Sequence, residues 1–251
     1  MTPETRTDPA DMSPAQRNIG GLPVWLHRVV VGSIVTLMAI EAALLAFQEQ
    51  WLSAATLLAF VVLTLLPTQF GRFFRISLPL DFQVAAVLFM FAALFLGEMR
   101  DFYFRVWWWD SLLHFTSGIL LGLFGFVLAY AMNEDDRIDL HLKPSFMATF
   151  AFFFALSVGA LWEIFEFAMD QIFGMQMQKP KFGDLSGLTD TMLDLILDAL
   201  GGLVISVFGW RVIRRRNGSL VEAMIARFVA RNPHLFRRRT LRRRKNRRGG
   251  R

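Results

Sequence analysis

The chain has 251 residues, 54% of them hydrophobic, with no cysteine and a formal net charge of +6. Residues 1–210 hold 11 basic and 20 acidic side chains, whereas 211–251 hold 16 and 1, so the positive balance belongs to a tail on an acidic body. This composition excludes a wholly disordered chain, a collagen-like repeat and a disulfide scaffold, and a mean hydropathy of +0.41 in spite of that tail excludes an ordinary soluble domain.

Residues 1–23 contain Pro3, Pro9, Pro14 and Pro23 among scattered charges and lack the apolar core of a signal peptide, which predicts a disordered cytoplasmic leader. Six apolar stretches follow, centred on 24–47, 51–70, 78–97, 111–132, 146–167 and 192–213. A helix crosses a hydrocarbon core in about 20 residues, so each is long enough to span. None alternates as a barrel strand does, and backbone facing lipid must bond within its own segment. The expected fold is therefore all-α: a polytopic integral membrane helical bundle of about six transmembrane helices over 24–213, with Pro67, Asp81 and Gln83 crowding the ends of spans two and three. No internal repeat is evident.

Arg214, Arg215 and Arg216, with the later cluster, place the C-terminus in the cytoplasm, and an even number of spans brings the N-terminus to the same side. Arg72 and Arg75 agree; Arg100, Arg105, Lys179 and Lys181 fall on the other side. Trp107, Trp108 and Trp109 then sit in the outer interfacial belt. Over 214–251 the expectation is a basic cytoplasmic tail: Ser219 and Glu222 have capping-box spacing, Leu220 to Val229 carry an amphipathic stripe, and ten of the fifteen residues from Arg237 onward are basic. Anionic lipid is the expected partner rather than nucleic acid, because the tail is tethered to a membrane and no aromatic residue interleaves its charges after Phe236.

Ionisable residues inside spans are costly and are functional candidates by default. Asp110 and His114 stand one turn apart at the start of span four. Glu163, Glu166 and Asp170 share a face at the end of span five, and Asp190, Asp194 and Asp198 form an i, i+4, i+8 stripe at the start of span six. Up-and-down threading brings these three sets to one membrane surface, together with Glu41 and Glu98. His114 is the only cation expected within the spans, so the carboxylates must be protonated, wet or bound to a metal. Carboxylates with one imidazole and no thiol suit Mg, Mn, Ca, Zn or Fe. Asp110, His114, Glu163, Glu166, Asp194 and Asp198 are the candidate ligands, while Asp170, Asp184 and Asp190 read equally well as loop-end residues or caps. Glycines 118, 122 and 125 suggest close helix packing.

Several short blocks also match a known pattern in order: Trp109-Asp110-x-x-x-His114-Phe115-x-x-Gly118, Trp162-Glu163-x-x-Glu166, Gly183-Asp184, and Asp190-Thr191-x-x-Asp194-x-x-x-Asp198-x-x-Gly201. Over about 78–213 the chain resembles the YjdF-like bacterial inner-membrane proteins. Its last block is similar to the Asp-x-x-x-Asn-x-x-Gly of VanZ-like envelope proteins, with Asp198 in place of Asn. The resemblance implies a bacterial inner-membrane protein and the same residue set, and hints at the cell envelope without implying a reaction.

Three functions fit the sequence. A carboxylate-bound metal polarises a phosphoryl or ester group of an envelope lipid, with Glu163 or Glu166 as base and His114 as ligand or acid. Alternatively, the same groups relay protons or a divalent cation as a transporter, or the acidic pocket is part of a non-catalytic scaffold. Reporter fusions or cysteine labels at Gln50, Arg105 and Gln178 are expected to read extracytoplasmic; cytoplasmic readings at all three would reverse the topology.

Overall fold

The computed structural model describes residues 22–74, 78–134 and 142–215. The leader up to residue 21, His141 and the basic tail from 216, with its amphipathic stripe, lie outside the described residues. Within them the chain forms helices α1 (Val24–Phe47), α2 (Trp51–Phe74), α3 (Leu80–Met90, continuing as π-helix over Phe91–Met99), α4 (Trp109–Glu134), α5 (Pro144–Phe173) and α6 (Leu188–Arg215), with one helical turn at Phe102–Arg105. All six are long and apolar enough to cross a membrane. Large apolar side chains such as Leu52, Val62, Phe153 and Ile164 stand exposed on their surfaces, as lipid-facing groups must. The protein is an all-helical membrane protein.

Local sequence explains the helix ends. Pro144 occupies the first turn of α5, where a missing N–H costs nothing, and Gly174 ends it in the left-handed region at φ 64°, its N–H bonding the Asp170 carbonyl at 3.0 Å. The helix thus continues past the apolar run, so Asp170 is helical. At α6 the helix begins four residues before the apolar run. There Asp184 accepts hydrogen bonds from the backbone and hydroxyl of both Ser186 and Thr189, at 2.6–2.9 Å. Pro67 lies inside α2. In α3 the Arg100 N–H reaches back five residues to the Phe95 carbonyl at 3.0 Å, the wider ladder of a π-helix.

The helices form two groups. In the first, α1, α2 and α3 pack around Met38, Leu57, Val87 and Phe95. In the second, α4, α5 and α6 pack more closely around Phe126, Ala129, Met147 and Ala151, and α3 joins the groups through contacts such as Phe82 on Phe124. Helices α4 and α6 run parallel and touch from Gly118 against Asp198 to Phe126 against Gly209. Glycine permits this approach: a Cβ on Gly201 would strike the Phe115 carbonyl oxygen and stand 3.0 Å from the Ile119 nitrogen. The small residues at 118 and 122 do pack against a neighbouring helix.

Glu41 at the end of α1 pairs with Arg100 beyond the end of α3 at 3.0 Å, and Glu98 lies 4.0 Å from Lys179 in the α5–α6 loop. Helix ends α1, α3 and α5 and helix starts α4 and α6 therefore share one end of the bundle.

Gly201→Val is expected to cost about 1–3 kcal/mol or more through overpacking against backbone that cannot move aside, seen as a lower unfolding midpoint in detergent. Gly32→Val, where a Cβ meets nothing within 4 Å, should stay within about 0.5 kcal/mol. Equal midpoints for the two variants would refute the glycine-mediated packing of α4 on α6.

Candidate functional site

At the shared end, one imidazole collects carboxylates from three helices. The Nδ1 atom of His114 lies 3.3 Å from Asp198 Oδ2 and 3.8 Å from Glu163 Oε1. Its Nε2 atom lies 3.8 Å from Asp110 Oδ1 and 3.9 Å from Asp194 Oδ2. All four carboxylates and the ring are buried or nearly so, with Asp194 and Asp198 each 1% exposed. Helical spacing delivers them: Asp110 precedes His114 by one turn on α4, and Asp194 precedes Asp198 by one turn on α6. The Asp198 side chain fits because it lies over Gly159 of α5, where a Cβ would collide with Asp198 Oδ2. The Ser117 hydroxyl lies 2.5 Å from Asp198 Oδ1 and 2.7 Å from the His114 carbonyl, and it donates to one of them at a time.

His114 was expected to be the only cation within the spans; two more reach the site from the loop outside them, which the sequence reading did not bring to it. Lys181, in the loop between α5 and α6, folds back so that Nζ stands 2.7 Å from Asp110 Oδ2, 2.6 Å from Asp190 Oδ1, and 3.2 and 3.4 Å from the two oxygens of Asp194. Burial alone would lower its pKa; the facing carboxylates, Asp110 foremost, and hydrogen bonds to Asp110 and Asp190 outweigh that and hold it above the ordinary value of 10.5. Lys179 approaches from the same loop. Its backbone N–H donates to Asp190 Oδ2 at 2.6 Å, and its ammonium donates to the Met177 carbonyl and lies 4.6 Å from the centre of the Tyr103 ring. Burial, and then the charges of Asp110 and Glu98, raise the Tyr103 hydroxyl pKa. The one sequence signal for these lysines was their opposition to the positive-inside trend.

The remaining candidates divide. Asp190 is 1% exposed and belongs to the cluster, which the sequence did not settle. Glu163, 3% exposed, has neither oxygen in a full hydrogen bond; the Thr191 hydroxyl is a weak neighbour that lies beyond normal hydrogen-bond geometry. Glu166, one turn on, accepts a hydrogen bond from Trp162 Nε1 at 2.9 Å and lies outside the tight group. Asp170 is a loop clamp, accepting from the Met177 and Gln178 backbone at 2.7 and 2.9 Å. Asp184 is a cap.

Ligand atoms of Asp110, His114 and Asp194 all lie within 4.8 Å of one another. Ligands of one ion with bonds of about 2.1 Å stand about 3.0–3.4 Å apart in octahedral or tetrahedral geometry, so these three would have to draw together by roughly an ångström to hold a divalent ion. The ring already has the matching arrangement: Nδ1 faces a carboxylate that fixes it, and Nε2 faces the other two.

Residues 26–215 match the family described as "Predicted membrane protein (DUF2238)", and the chain belongs to that family. It is also similar to a protein of Thermotoga maritima described as "Uncharacterized protein", at 32% identity over 106 residues, 42% of this chain. The chain matches about half, 50%, of that relative's length. No solved structure matches.

Hydrogen bonds from Ser186 and Thr189 hold the Asp184 carboxyl below its ordinary 3.8. Its stabilisation of the α6 start is thus present above that value and lost as pH falls below it. Asp184→Ala is expected to speed amide exchange over 186–191 at neutral pH and leave 199–207 unchanged. Unaltered exchange over 186–191 would show that the cap is dispensable.

Proposed function

We propose that this protein binds a divalent cation through Asp110, His114 and Asp194 and uses it to hydrolyse a phosphoryl or ester bond in a membrane lipid. The observation that carries the reading is the orientation of His114, with Asp198 on Nδ1 and the Asp110–Asp194 pair before Nε2. A carboxylate behind a ligating imidazole fixes its tautomer and raises its basicity. Mg, Mn, Zn or Fe suits the donor set, and the ion would polarise the scissile group.

Glu163 is the best-placed general base. It is buried, adjoins His114 and commits neither oxygen to a full hydrogen bond, leaving it free to take a proton from an attacking water. Glu166, already engaged by Trp162, is the weaker candidate for that role.

Below Asp198 the buried core residues Ala155, Ala151, Phe126 and Ala129 are apolar and Ser206 is the one buried polar side chain there among the described residues, which supports a site confined to one end of the bundle over a transport path through it. The YjdF-like and VanZ-like motifs favour the bacterial inner membrane and an envelope lipid, and the basic residues favour an extracytoplasmic site with both termini cytoplasmic.

Metal analysis of the purified full-length protein after equilibration with Mn, Zn or Mg should find a stoichiometric ion that His114→Ala and Asp194→Asn abolish. Asp198→Asn should weaken binding by about 10–100-fold. Glu163→Gln should retain the ion and lose turnover of phosphate- or ester-bearing lipids. Failure of the wild type to bind any of the ions would end the reading, and bound ion without lipid turnover would end its enzymatic part.

A further inference from the structure

Lys181 is positioned where a metal site's charge must go. Its ammonium contacts Asp110 and Asp194, two of the three residues whose ligand atoms converge, and its side chain is 16% exposed. An ion bonded to oxygens of both carboxylates at about 2.1 Å would stand close to Nζ, which is itself 2.7 Å from one and 3.2 Å from the other. Two cations at such range in a poorly screened site repel strongly. The ammonium lies nearest Asp110 Oδ2 and Asp194 Oδ1 while Oδ1 and Oδ2 of the same residues face His114, so the conflict between lysine and ion is one of charge.

The surrounding loop separates movable from fixed parts. Its backbone is held at Met177 and Gln178 by Asp170, at Lys179 by Asp190, and at Lys181–Asp184 by a turn whose Asp184 N–H bonds the Lys181 carbonyl at 3.0 Å. That turn has positive φ at both central residues, 53° at Phe182 and 83° at Gly183. A bulky residue in the left-handed region is held there only by its surroundings, and here the turn directs Lys181 inward while Phe182 stands 91% exposed. With the backbone pinned, the four-carbon stem of Lys181 is the part free to move.

Building on the cation site proposed above, we propose that Lys181 is the affinity- and specificity-determining residue of that site. It acts as a tethered cation that occupies the Asp110–Asp194 pair and is displaced, by rotation of its side chain toward the exposed face at Phe182, when a divalent ion binds. Glu163, on the Nδ1 side of His114, is a 3%-exposed carboxyl with neither oxygen in a full hydrogen bond, so the present cations leave one buried acid of the cluster unpaired. A tethered competitor of this kind favours an ion of high charge over a monovalent one, because only the former repays the loss of the ammonium contacts.

The test uses the full chain in lipid nanodiscs with Mn²⁺ as the probe. Lys181→Met should bind Mn²⁺ about tenfold or more tightly than wild type, while Lys181→Arg, which keeps the charge, should bind no more tightly than wild type. In the wild-type protein, acylation of the Lys181 amine by a water-soluble reagent, followed by peptide mass spectrometry, should be slow without Mn²⁺ and rise about tenfold with it, while Lys143 at the other end of the bundle stays constant. The acylation measurement stands even if Lys181→Met does not fold. Equal Mn²⁺ affinity in Met, Arg and wild-type proteins, or Lys181 equally protected with Mn²⁺ bound, would overturn the proposal and leave the cation site intact. Absence of Mn²⁺ binding in all three would overturn both.

Discussion

Six carboxyl groups gathered against three cationic side chains at one buried end are the constraint that organises the molecule. Asp110, Glu163, Glu166, Asp190, Asp194 and Asp198 gather at one end of a three-helix bundle, against Lys179, Lys181 and the His114 ring. Removing a carboxylate from water costs several kcal/mol, and a single pair at 4 Å returns about 4 kcal/mol at an effective dielectric near 20. Pairing of this kind does little more than break even. The cluster persists because several of the carboxylates have more than one partner at once: Asp190 holds a backbone N–H and an ammonium, and Asp198 a hydroxyl and an imidazole, whereas Glu163 has neither oxygen in a full hydrogen bond.

Geometry for that multiplicity comes from the least conspicuous residues. Glycines at 118, 159 and 201 let helix backbones approach until carboxylates on α6 lie against α4 and α5. At the same end, Asp170 and Asp184 fix the loop that brings in both lysines, one by clamping its entry and the other by capping its exit. Small residues set the distances between helices and short polar side chains set the loop path; the charged groups then meet.

Much of this was legible in the sequence because helical periodicity is exact enough to put residues one turn apart on one face. The sets Asp110/His114, Glu163/Glu166 and Asp194/Asp198, with threading, sufficed to bring three helices' acids to one end. Periodicity has no purchase on a loop, however. Lys181 reads as a surface charge between spans, and only its contacts with Asp110, Asp190 and Asp194 reveal that it points inward. Asp190 and Asp184 lie six residues apart, one buried in the cluster and one a cap, and nothing in their spacing tells them apart. Helix α6 likewise starts ahead of its apolar run because a cap, rather than hydropathy, decides where the helix begins.

The neutralising groups of α6 all belong to other parts of the chain, and this bears on how the protein is made. Asp190, Asp194 and Asp198 find their partners on α4 and in the loop before α6, so a newly synthesised α6 meeting lipid alone would expose three carboxyls, each costing up to about 2.5–3.5 kcal/mol on insertion scales at mid-membrane. Helix α4, with His114, is translated first, and the lysine-bearing loop immediately precedes α6. Translation order therefore supplies each counter-group before the acid it serves, and the sixth helix enters as the closing member of a preassembled half-site. The last span then depends on those before it for its own stability in the bilayer.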